Sequence, residues 1–289
     1  MAIRLHTQTR SAQGSCGWRR KLAVCQITTR DWSFENDVRA YAAAGIDALG
    51  VYGPKLAAIG IPRALQLLRD SGLPATSFIS GKELTGTREQ LGQVCLDEHL
   101  RLLDDCLALG VDTLIVVPGN LHGRDPARVE ELAIEALHRL APAALERGLC
   151  LGLEPIRAPY FDFMNTLVHA QKLARAVAHP AVGLVFDTWH LWREPGLFDT
   201  LVSAIDLIRL VHVSDWREPT REHDDRLLPG DGVMPLAEML QYLDALGYTG
   251  LYEVEIYSKD LWAADYHQIL QHCRRWFDSI WQLDGGRIT

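Results

Sequence analysis

Residues 112–155 have the sequence DTLIVVPGNLHGRDPARVEELAIEALHRLAPAALERGLCLGLEP, which holds one complete strand–helix–strand unit. Its two ends, 112–117 and 149–154, are short apolar runs of the length typical of buried strands. The middle, 126–147, has apolar residues at helical spacing and stops before Gly148, a residue that readily adopts the left-handed conformation after a helix. The stretch therefore predicts two parallel strands joined by a helical crossover.

The same alternation of apolar run and helical segment recurs along the chain from residue 21 onward. Because no linker and no break in composition divides the eight units, they predict a single (β/α)8 TIM barrel over residues 21–289. The predicted strands cover 21–28, 46–52, 73–79, 112–117, 149–154, 182–187, 208–214 and 250–256. The predicted helices cover 37–44, 62–71, 96–109, 126–147, 166–178, 199–205, 235–246 and about 264–283.

A doubly wound open sheet is the alternative architecture. Such a sheet usually carries a glycine-rich phosphate-binding turn after its first strand. Here the corresponding stretch, 25–33, reads CQITTRDWS and contains no glycine, so the barrel is favoured. Residues 1–20 are polar, basic and aperiodic, and we expect them to form a flexible leader ahead of the barrel.

The composition narrows the class of protein. With 289 residues, of which 48% are hydrophobic and 23% charged, the chain can bury a large core. Its formal net charge of −8 disfavours nucleic acid as a partner, because such a partner requires a surface that neutralises phosphates. No apolar run approaches the roughly 20 residues of a membrane helix, so no membrane partner is expected. The six cysteines form no CxxC pair, which predicts reduced thiols in a cytoplasmic protein.

Four side chains with metal-binding atoms stand at or near the C-terminal ends of predicted strands. In a barrel of this kind those ends share one rim, where active sites lie. Carboxylate oxygens and an imidazole nitrogen on consecutive strands make a plausible shell for one divalent cation. The four residues are Glu154, Asp187, His212 and Glu255.

Taken singly, each of these residues has an ordinary structural explanation. Asp187 precedes Thr188 and suits the N-cap of a helix, and His212 alone is more often a hydrogen-bonded core residue than a ligand. These structural explanations are weaker for the four residues taken together, because three carboxylates buried at one rim repel one another and lose their hydration. A bound cation removes that conflict.

Five motifs then give the chain a resemblance to a known family. It resembles the sugar isomerases and epimerases of the xylose isomerase-like TIM barrel superfamily, the sugar phosphate isomerase/epimerase type that shares its barrel with AP endonuclease family 2. The motifs are GLEP (152–155), FDTWH (186–190), HVSDW (212–216), RLLPGDG (226–232) and GYTGLYEVEIYS (247–258).

The resemblance implies a cofactor, a substrate class and roles for individual residues. One divalent ion, manganese, cobalt, magnesium or zinc, is expected on Glu154, Asp187, His212 and Glu255, with a small-molecule carbohydrate as substrate. His190 is expected to contact a substrate hydroxyl. A substrate or loop contact is expected of Arg217, and the loop 226–232 is expected to close over or shape the same rim. Relatives are often homo-oligomers, so self-association is also expected.

The implied reaction is an isomerisation or epimerisation through an enediolate. Glu154 and Glu255 are the candidate catalytic residues, taking a proton from one carbon beside the carbonyl and returning one. A lyase or dehydratase acting on an inosose or a 3-keto-glycoside shares that first step. A barrel that binds its ligand without catalysis is the alternative of another class. A three-zinc DNA repair endonuclease is disfavoured, because the three extra histidines of that family are missing here.

Some assignments stay open at this stage. Glu253 and Glu255 are two residues apart and face the same way on one strand, so either can be the ligand. The resemblance favours Glu255, because the family's glutamate falls there when counted from GYTG. Glu83 and His122 follow strands three and four and could also reach the rim, although a solvated loop position is the more ordinary expectation for each.

Overall fold

The computed structural model describes residues 20–86 and 93–282. The predicted leader lies outside the described residues except for Arg20, so its flexibility stays a prediction. No helix within the described part of the chain has the length and apolar character needed to cross a membrane.

Eight parallel strands form a closed barrel in which each strand pairs with its neighbour in sequence, and β8 closes onto β1. This confirms the predicted (β/α)8 barrel and excludes the open sheet. All eight predicted strands are present, several of them shortened at the ends. The strands are β1 (Lys21–Cys25), β2 (Ala48–Tyr52), β3 (Ala75–Glu83), β4 (Thr113–Val117), β5 (Cys150–Leu153), β6 (Val182–Asp187), β7 (Ile208–Val213) and β8 (Leu251–Val254).

Helices surround the barrel and include all eight that the periodicity predicts. Three short helices were not predicted, and two of them have only four residues, too few to show a helical period. These are α2 (Gly53–Ile59), α7 (Thr188–Leu191) and α10 (Lys259–Trp262). The longer helices are α1 (Phe34–Ala43), α3 (Ile61–Ser71), α4 (Gln93–Leu109), α5 (Pro126–Glu146), α6 (Leu167–Val177), α8 (Leu197–Ala204), α9 (Leu236–Ala245) and α11 (Tyr266–Gln282).

Apolar side chains fill two separate layers. The larger layer lies between strands and helices and contains residues such as Leu103, Phe186 and Phe277, while a smaller cluster fills the barrel. The interior cluster includes Val185, whose methyl group lies where a side chain on Gly152 would project. A larger residue at 152 would clash, so this glycine allows the interior to close beneath the rim that carries the polar residues.

A buried ion pair braces the barrel mouth at β1 and β2. Nζ of Lys55 lies 2.6 Å from Oδ2 of Asp37 and 2.8 Å from the carbonyl oxygen of Thr29. Asp37 also accepts hydrogen bonds from Gln26 and from the Thr29 hydroxyl. Because the Asp37 carboxylate has several donors and a cationic partner, it can be fully buried in α1.

Candidate active site

The structure brings Glu154, Asp187, His212 and Glu255 together at the C-terminal rim of the barrel. Each contributes one oxygen or nitrogen atom to a group whose members lie within 4.8 Å of one another, and all four residues are buried. Glu154 follows the last residue of β5, Asp187 ends β6, His212 lies one residue before the end of β7, and Glu255 follows β8. Parallel strands thus deliver all four side chains to the same end, as the sequence predicts.

Asp187 is both a helix cap and a member of the site. Its Oδ1 accepts hydrogen bonds from the backbone N–H groups of Trp189, at 2.7 Å, and His190, at 3.4 Å, which caps α7. Its Oδ2 lies 3.0 Å from Nη1 of Arg226. Burial alone would raise the pKa of Asp187, but Arg226 and the nearby histidines hold that pKa below its ordinary value. Asp187 is therefore a helix cap and also a member of the buried cluster.

His212 presents its two ring nitrogens to different partners. Nδ1 lies 2.7 Å from Oε1 of Glu154 and 3.5 Å from Oε2 of Glu255, so this nitrogen is the one positioned to bind a cation. Burial lowers the pKa of His212, but the carboxylates of Glu255 and Glu154 outweigh burial and raise it well above its ordinary value. Without a cation, the imidazolium form balances part of the carboxylate charge.

Arg226 occupies the centre of the site, a role that the sequence did not reveal. Its guanidinium is buried, and Nη1 lies 3.0 Å from Oδ2 of Asp187 and 3.2 Å from Oε2 of Glu255. The carboxylates of Glu154, Asp187 and Glu255 carry three negative charges and Arg226 one positive charge, which leaves a net charge of −2 when His212 is neutral. A divalent cation balances that charge. The motif RLLPGDG pointed to this loop but not to its arginine.

Glu255 supplies the observation that fits a cation most directly. Its Oε1 is buried and has no hydrogen-bond partner among the described residues. Burial and the neighbouring carboxylate of Glu154 raise the pKa of Glu255 to about 7, despite the opposing effects of His212 and Arg226. A buried carboxylate oxygen without a donor is costly, and a metal ion is the kind of partner that relieves it. The donor set of three carboxylates and one imidazole suits manganese, zinc, cobalt or magnesium.

Glu253 lies deeper in the barrel than Glu255, on the same inward face of β8. Both of its oxygens are within 2.8 Å of the Ser77 hydroxyl, and Oε1 lies 3.6 Å from Nε2 of His212. A side chain at Gly50 would collide with this carboxylate, because an added Cβ would be 2.2 Å from Oε1. Glu255 therefore belongs to the four-residue cluster, while Glu253 backs the histidine from below.

The tautomer of His190 follows from its partner. Nη2 of Arg226 lies 3.1 Å from Nε2 of His190, and a guanidinium can only donate, so Nε2 must accept. The proton of neutral His190 is then on Nδ1, which is buried and has no partner within the described structure. Burial lowers the pKa of His190 well below its ordinary value, so the ring is neutral at neutral pH. His190 consequently offers one free N–H donor beside the site.

Arg217 lies on the loop beside the site rather than in its centre. Its Nε is 2.8 Å from Oδ1 of Asp225 and its Nη2 is 3.2 Å from Oδ2 of Asp260. These contacts agree with a loop role, and a contact with substrate stays a prediction. Glu83 and His122 lie near each other, with Oε2 and Nε2 separated by 3.7 Å, and both side chains are about one-third exposed.

Comparison with known proteins identifies the family. The sequence model of the xylose isomerase-like TIM barrel matches residues 38–280. The chain belongs to this family. The resemblance found in the sequence motifs is thereby confirmed.

Relatives within the family have different names. The chain is 30% identical over 241 residues to a 3-dehydroshikimate dehydratase of Pseudomonas putida, an alignment that covers 80% of this chain and 37% of that protein. The chain thus spans little more than a third of that relative's length. It is 25% identical to an inosose isomerase of Bacillus velezensis over 198 residues, which cover 67% of this chain and 69% of the relative.

A solved structure with the same fold contains a metal. The zinc-bound crystal structure of the IOLI protein superposes with a TM-score of 0.79 at 19% sequence identity. The superposition covers 90% of this chain and 97% of that one, and at this level of identity it shows the fold.

Proposed function

We propose that this chain is a divalent-metal-dependent isomerase or epimerase that acts on a keto-sugar or a related polyol. The observation that carries the proposal is the buried cluster of Glu154, Asp187, His212 and Glu255, in which one carboxylate oxygen has no partner among the described residues. The zinc in the IOLI structure and the name of the inosose isomerase support the cofactor and the substrate class.

A divalent cation bound at this cluster supplies Lewis-acid polarisation of a substrate carbonyl, which makes the neighbouring C–H more acidic. Glu154 and Glu255 project from β5 and β8, which are three strands apart around the rim. We assign one of them to remove the proton and the other to return a proton to the resulting enediolate. Return to the same carbon from the other face gives an epimer, and return to the adjacent carbon gives an isomer.

Other residues of the site hold charge and orient the substrate. Arg226 fixes Asp187 and Glu255 in place and offsets one of their charges, because its Nη1 contacts both carboxylates. The Nδ1–H group of His190 can donate to a substrate oxygen. Arg217 is assigned a contact with substrate or with its loop, where it pairs with Asp225.

Isotope exchange tests the proton-transfer roles. The protein is loaded with manganese, incubated in D2O with a panel of ketoses, inososes and 3-keto-glycosides, and followed by NMR. We expect deuterium to enter beside the carbonyl of at least one substrate, and Glu154→Gln or Glu255→Gln to reduce the rate by about 100-fold or more. Manganese content is measured for each variant, because both residues are also ligands.

Glu131→Gln is the matched control, since it makes the same chemical change on an exposed side chain of α5 outside the site. At saturating manganese this variant should keep its exchange activity. Exchange that is equal in all three variants would remove Glu154 and Glu255 from proton transfer. A wild-type protein that binds manganese but exchanges no substrate proton would favour a binding barrel without catalysis.

A lyase reaction is the second candidate, favoured by the 30% identity to a 3-dehydroshikimate dehydratase. The first proton transfer is the same. A hydroxyl group on the next carbon then leaves with a proton from a site acid as water, so that a carbon–carbon double bond forms. Ultraviolet absorbance of a conjugated product distinguishes this outcome, because epimerisation and isomerisation create no such chromophore.

We also infer a cytoplasmic location. The absence of disulfides among the described cysteines Cys25, Cys106, Cys150 and Cys273 is consistent with a reducing compartment. Self-association is a further expectation from the family, and analytical ultracentrifugation measures it directly.

A further inference from the structure

A cavity of about 190 Å³ adjoins the candidate metal site on the far side of His190. It lies between the loop that follows β5 and the short helix α7. His190 borders both regions, since its Nε2 is 3.7 Å from Oδ2 of Asp187 and its ring also lines the cavity. The cavity wall includes Arg157, Trp189, His190, Trp192, Arg193 and Glu194.

Arg157 brings an uncompensated positive charge to this cavity. Its side chain makes no hydrogen bond and no ion pair within the described part of the chain, and it is only partly exposed. The guanidinium instead lies over indole rings, 4.6 Å from the ring centre of Trp216 and 5.6 Å from that of Trp189. Burial, together with the nearby Arg193, lowers the pKa of Arg157. An anion beside Arg157 would offset both the burial of its charge and the repulsion from Arg193.

The other charges of the cavity are already balanced. Arg193 pairs with Glu218, which lies outside the cavity wall. Glu194 accepts hydrogen bonds from the backbone N–H groups of Leu167, at 2.7 Å, and Val168, at 3.2 Å, so the start of α6 occupies both of its oxygens. One free positive charge, that of Arg157, therefore remains.

The free arginine decides which ligand group this cavity suits. A guanidinium donates hydrogen bonds and never accepts them. A ligand group that pairs with Arg157 must therefore accept hydrogen bonds, and its charge should be −1 to match Arg157.

We propose that this cavity binds a carboxylate group of the substrate, so that the substrate is a keto-polyol carboxylate rather than a neutral sugar. The proposal rests on the proposed function, because the reacting carbons must lie at the Glu154 and Glu255 rim while the carboxylate extends past His190. A planar carboxylate can take two parallel hydrogen bonds from one guanidinium, which suits the single free arginine better than a doubly charged phosphoryl group does.

A pair of ligands that differ only in charge tests the proposal. The manganese-loaded full chain is titrated calorimetrically with 3-dehydroshikimate and with its methyl ester. We expect wild-type protein to bind the acid at least about tenfold more tightly than the ester, as one charge-assisted hydrogen-bonded pair allows. Arg157→Gln should bring the ratio of the two dissociation constants close to one. Arg128→Gln, which removes an exposed arginine of α5, should leave the ratio unchanged.

Several results would overturn the proposal. These are equal binding of acid and ester by wild-type protein, an unchanged ratio in Arg157→Gln, or no binding of the acid at millimolar concentration. A different result would assign the cavity to a phosphoryl group instead. Inorganic phosphate would then compete at lower concentrations than the acid, and this competition would be lost in Arg157→Gln. Deuterium exchange separates this test from the proposed function. Manganese-loaded wild-type protein that exchanges a proton of neither the acid, the ester nor any neutral member of the panel would contradict the proposed function itself.

Discussion

Nε2 of His212 lies 3.6 Å from Oε1 of Glu253, on the opposite edge of the ring from the nitrogen that faces Glu154. When Nδ1 binds a cation, the ring proton must be on Nε2, which is buried without a hydrogen-bond partner in the described structure and has the Glu253 carboxylate as an ion-pair neighbour. Partners of this kind orient a metal-binding histidine and raise its basicity. Glu253 thus extends the candidate site into the barrel interior.

We therefore expect Glu253→Gln to weaken manganese binding by about 10- to 100-fold. Ser77→Ala is the matched control, because it removes the hydroxyl that contacts Glu253 but keeps the carboxylate beside His212. Its effect should be several-fold smaller. Isothermal titration of the metal-free proteins measures both constants, and equal affinity in wild type and Glu253→Gln would contradict this role.

Arg226 should be essential for the stability of the metal-free protein. Arg226→Met leaves Asp187 and Glu255 buried without their cationic partner, which should lower the free energy of unfolding by about 3–5 kcal/mol. Arg63→Gln breaks an exposed pair with Glu35 and should cost no more than about 1 kcal/mol. Urea denaturation measures both changes. Saturating manganese should restore more stability to Arg226→Met than to wild type, because the cation then supplies the missing charge.

Metal binding should strengthen as pH rises. In the metal-free protein the pKa of His212 is raised well above its ordinary value and that of Glu255 is raised to about 7, so both groups are largely protonated at pH 6. A cation must displace these protons, and its affinity therefore increases from pH 6 to pH 8. Calorimetric titration in buffers of different ionisation enthalpy should detect the release of at least about one proton per manganese at pH 7.

The raised pKa values of His212 and Glu255 also make the stability of the metal-free protein depend on pH. Both groups bind protons more tightly in the folded state, so the stability they contribute is complete below their unfolded-state pKa values and is lost as pH rises through the folded-state values. For Glu255 this window runs from its ordinary value of 4.5 to about 7. Thermal unfolding of the metal-free protein should show this loss, and manganese-saturated protein should not. Parallel curves with and without manganese would contradict the assignment.

Lys55 and Asp37 should behave as one coupled unit. Lys55→Met leaves the carboxyl group of Asp37 buried without its cationic partner, and should cost about 3–5 kcal/mol of unfolding free energy. The double variant Asp37→Asn with Lys55→Met removes both charges and should be more stable than Lys55→Met alone. Chemical denaturation of the two single variants and the double variant gives the coupling energy. Additive effects would show that the contact of 2.6 Å between these groups is energetically unimportant.

The fold was accessible from sequence because each repeating unit encodes it locally. Helical periods of seven or more residues and short buried strands predicted the elements, and their strict alternation predicted parallel pairing. The four-residue helices α7 and α10 were missed, since a single turn shows no period, and the seven-residue helix α2 was missed as well. The sequence predicted that Asp187 caps a helix beginning at Thr188. The cap is present, but that helix, α7, is only four residues long.

The cluster of four candidate ligands was also predicted from sequence, for a geometric reason. A residue at the C-terminal end of a parallel strand has its place on the rim decided by strand order alone, so Glu154, Asp187, His212 and Glu255 could be placed before the structure was known. The resemblance to the family already favoured Glu255 over Glu253 as the ligand, and the structure adds the depth of each side chain. In the structure Glu253 contacts Ser77 below the rim, and Glu255 joins the cluster above it.

Sequence by itself therefore determined the barrel, its active rim and the four side chains that converge there, since these follow from strand order and side-chain alternation. Tertiary structure alone decided the positions of Arg226 and Arg157. Both side chains come from loops, whose paths are set by packing against several other elements rather than by a local period. The charge balance of the candidate metal site depends on the path that carries Arg226. The inferred carboxylate specificity depends on the path that brings Arg157 to the same cavity wall as His190.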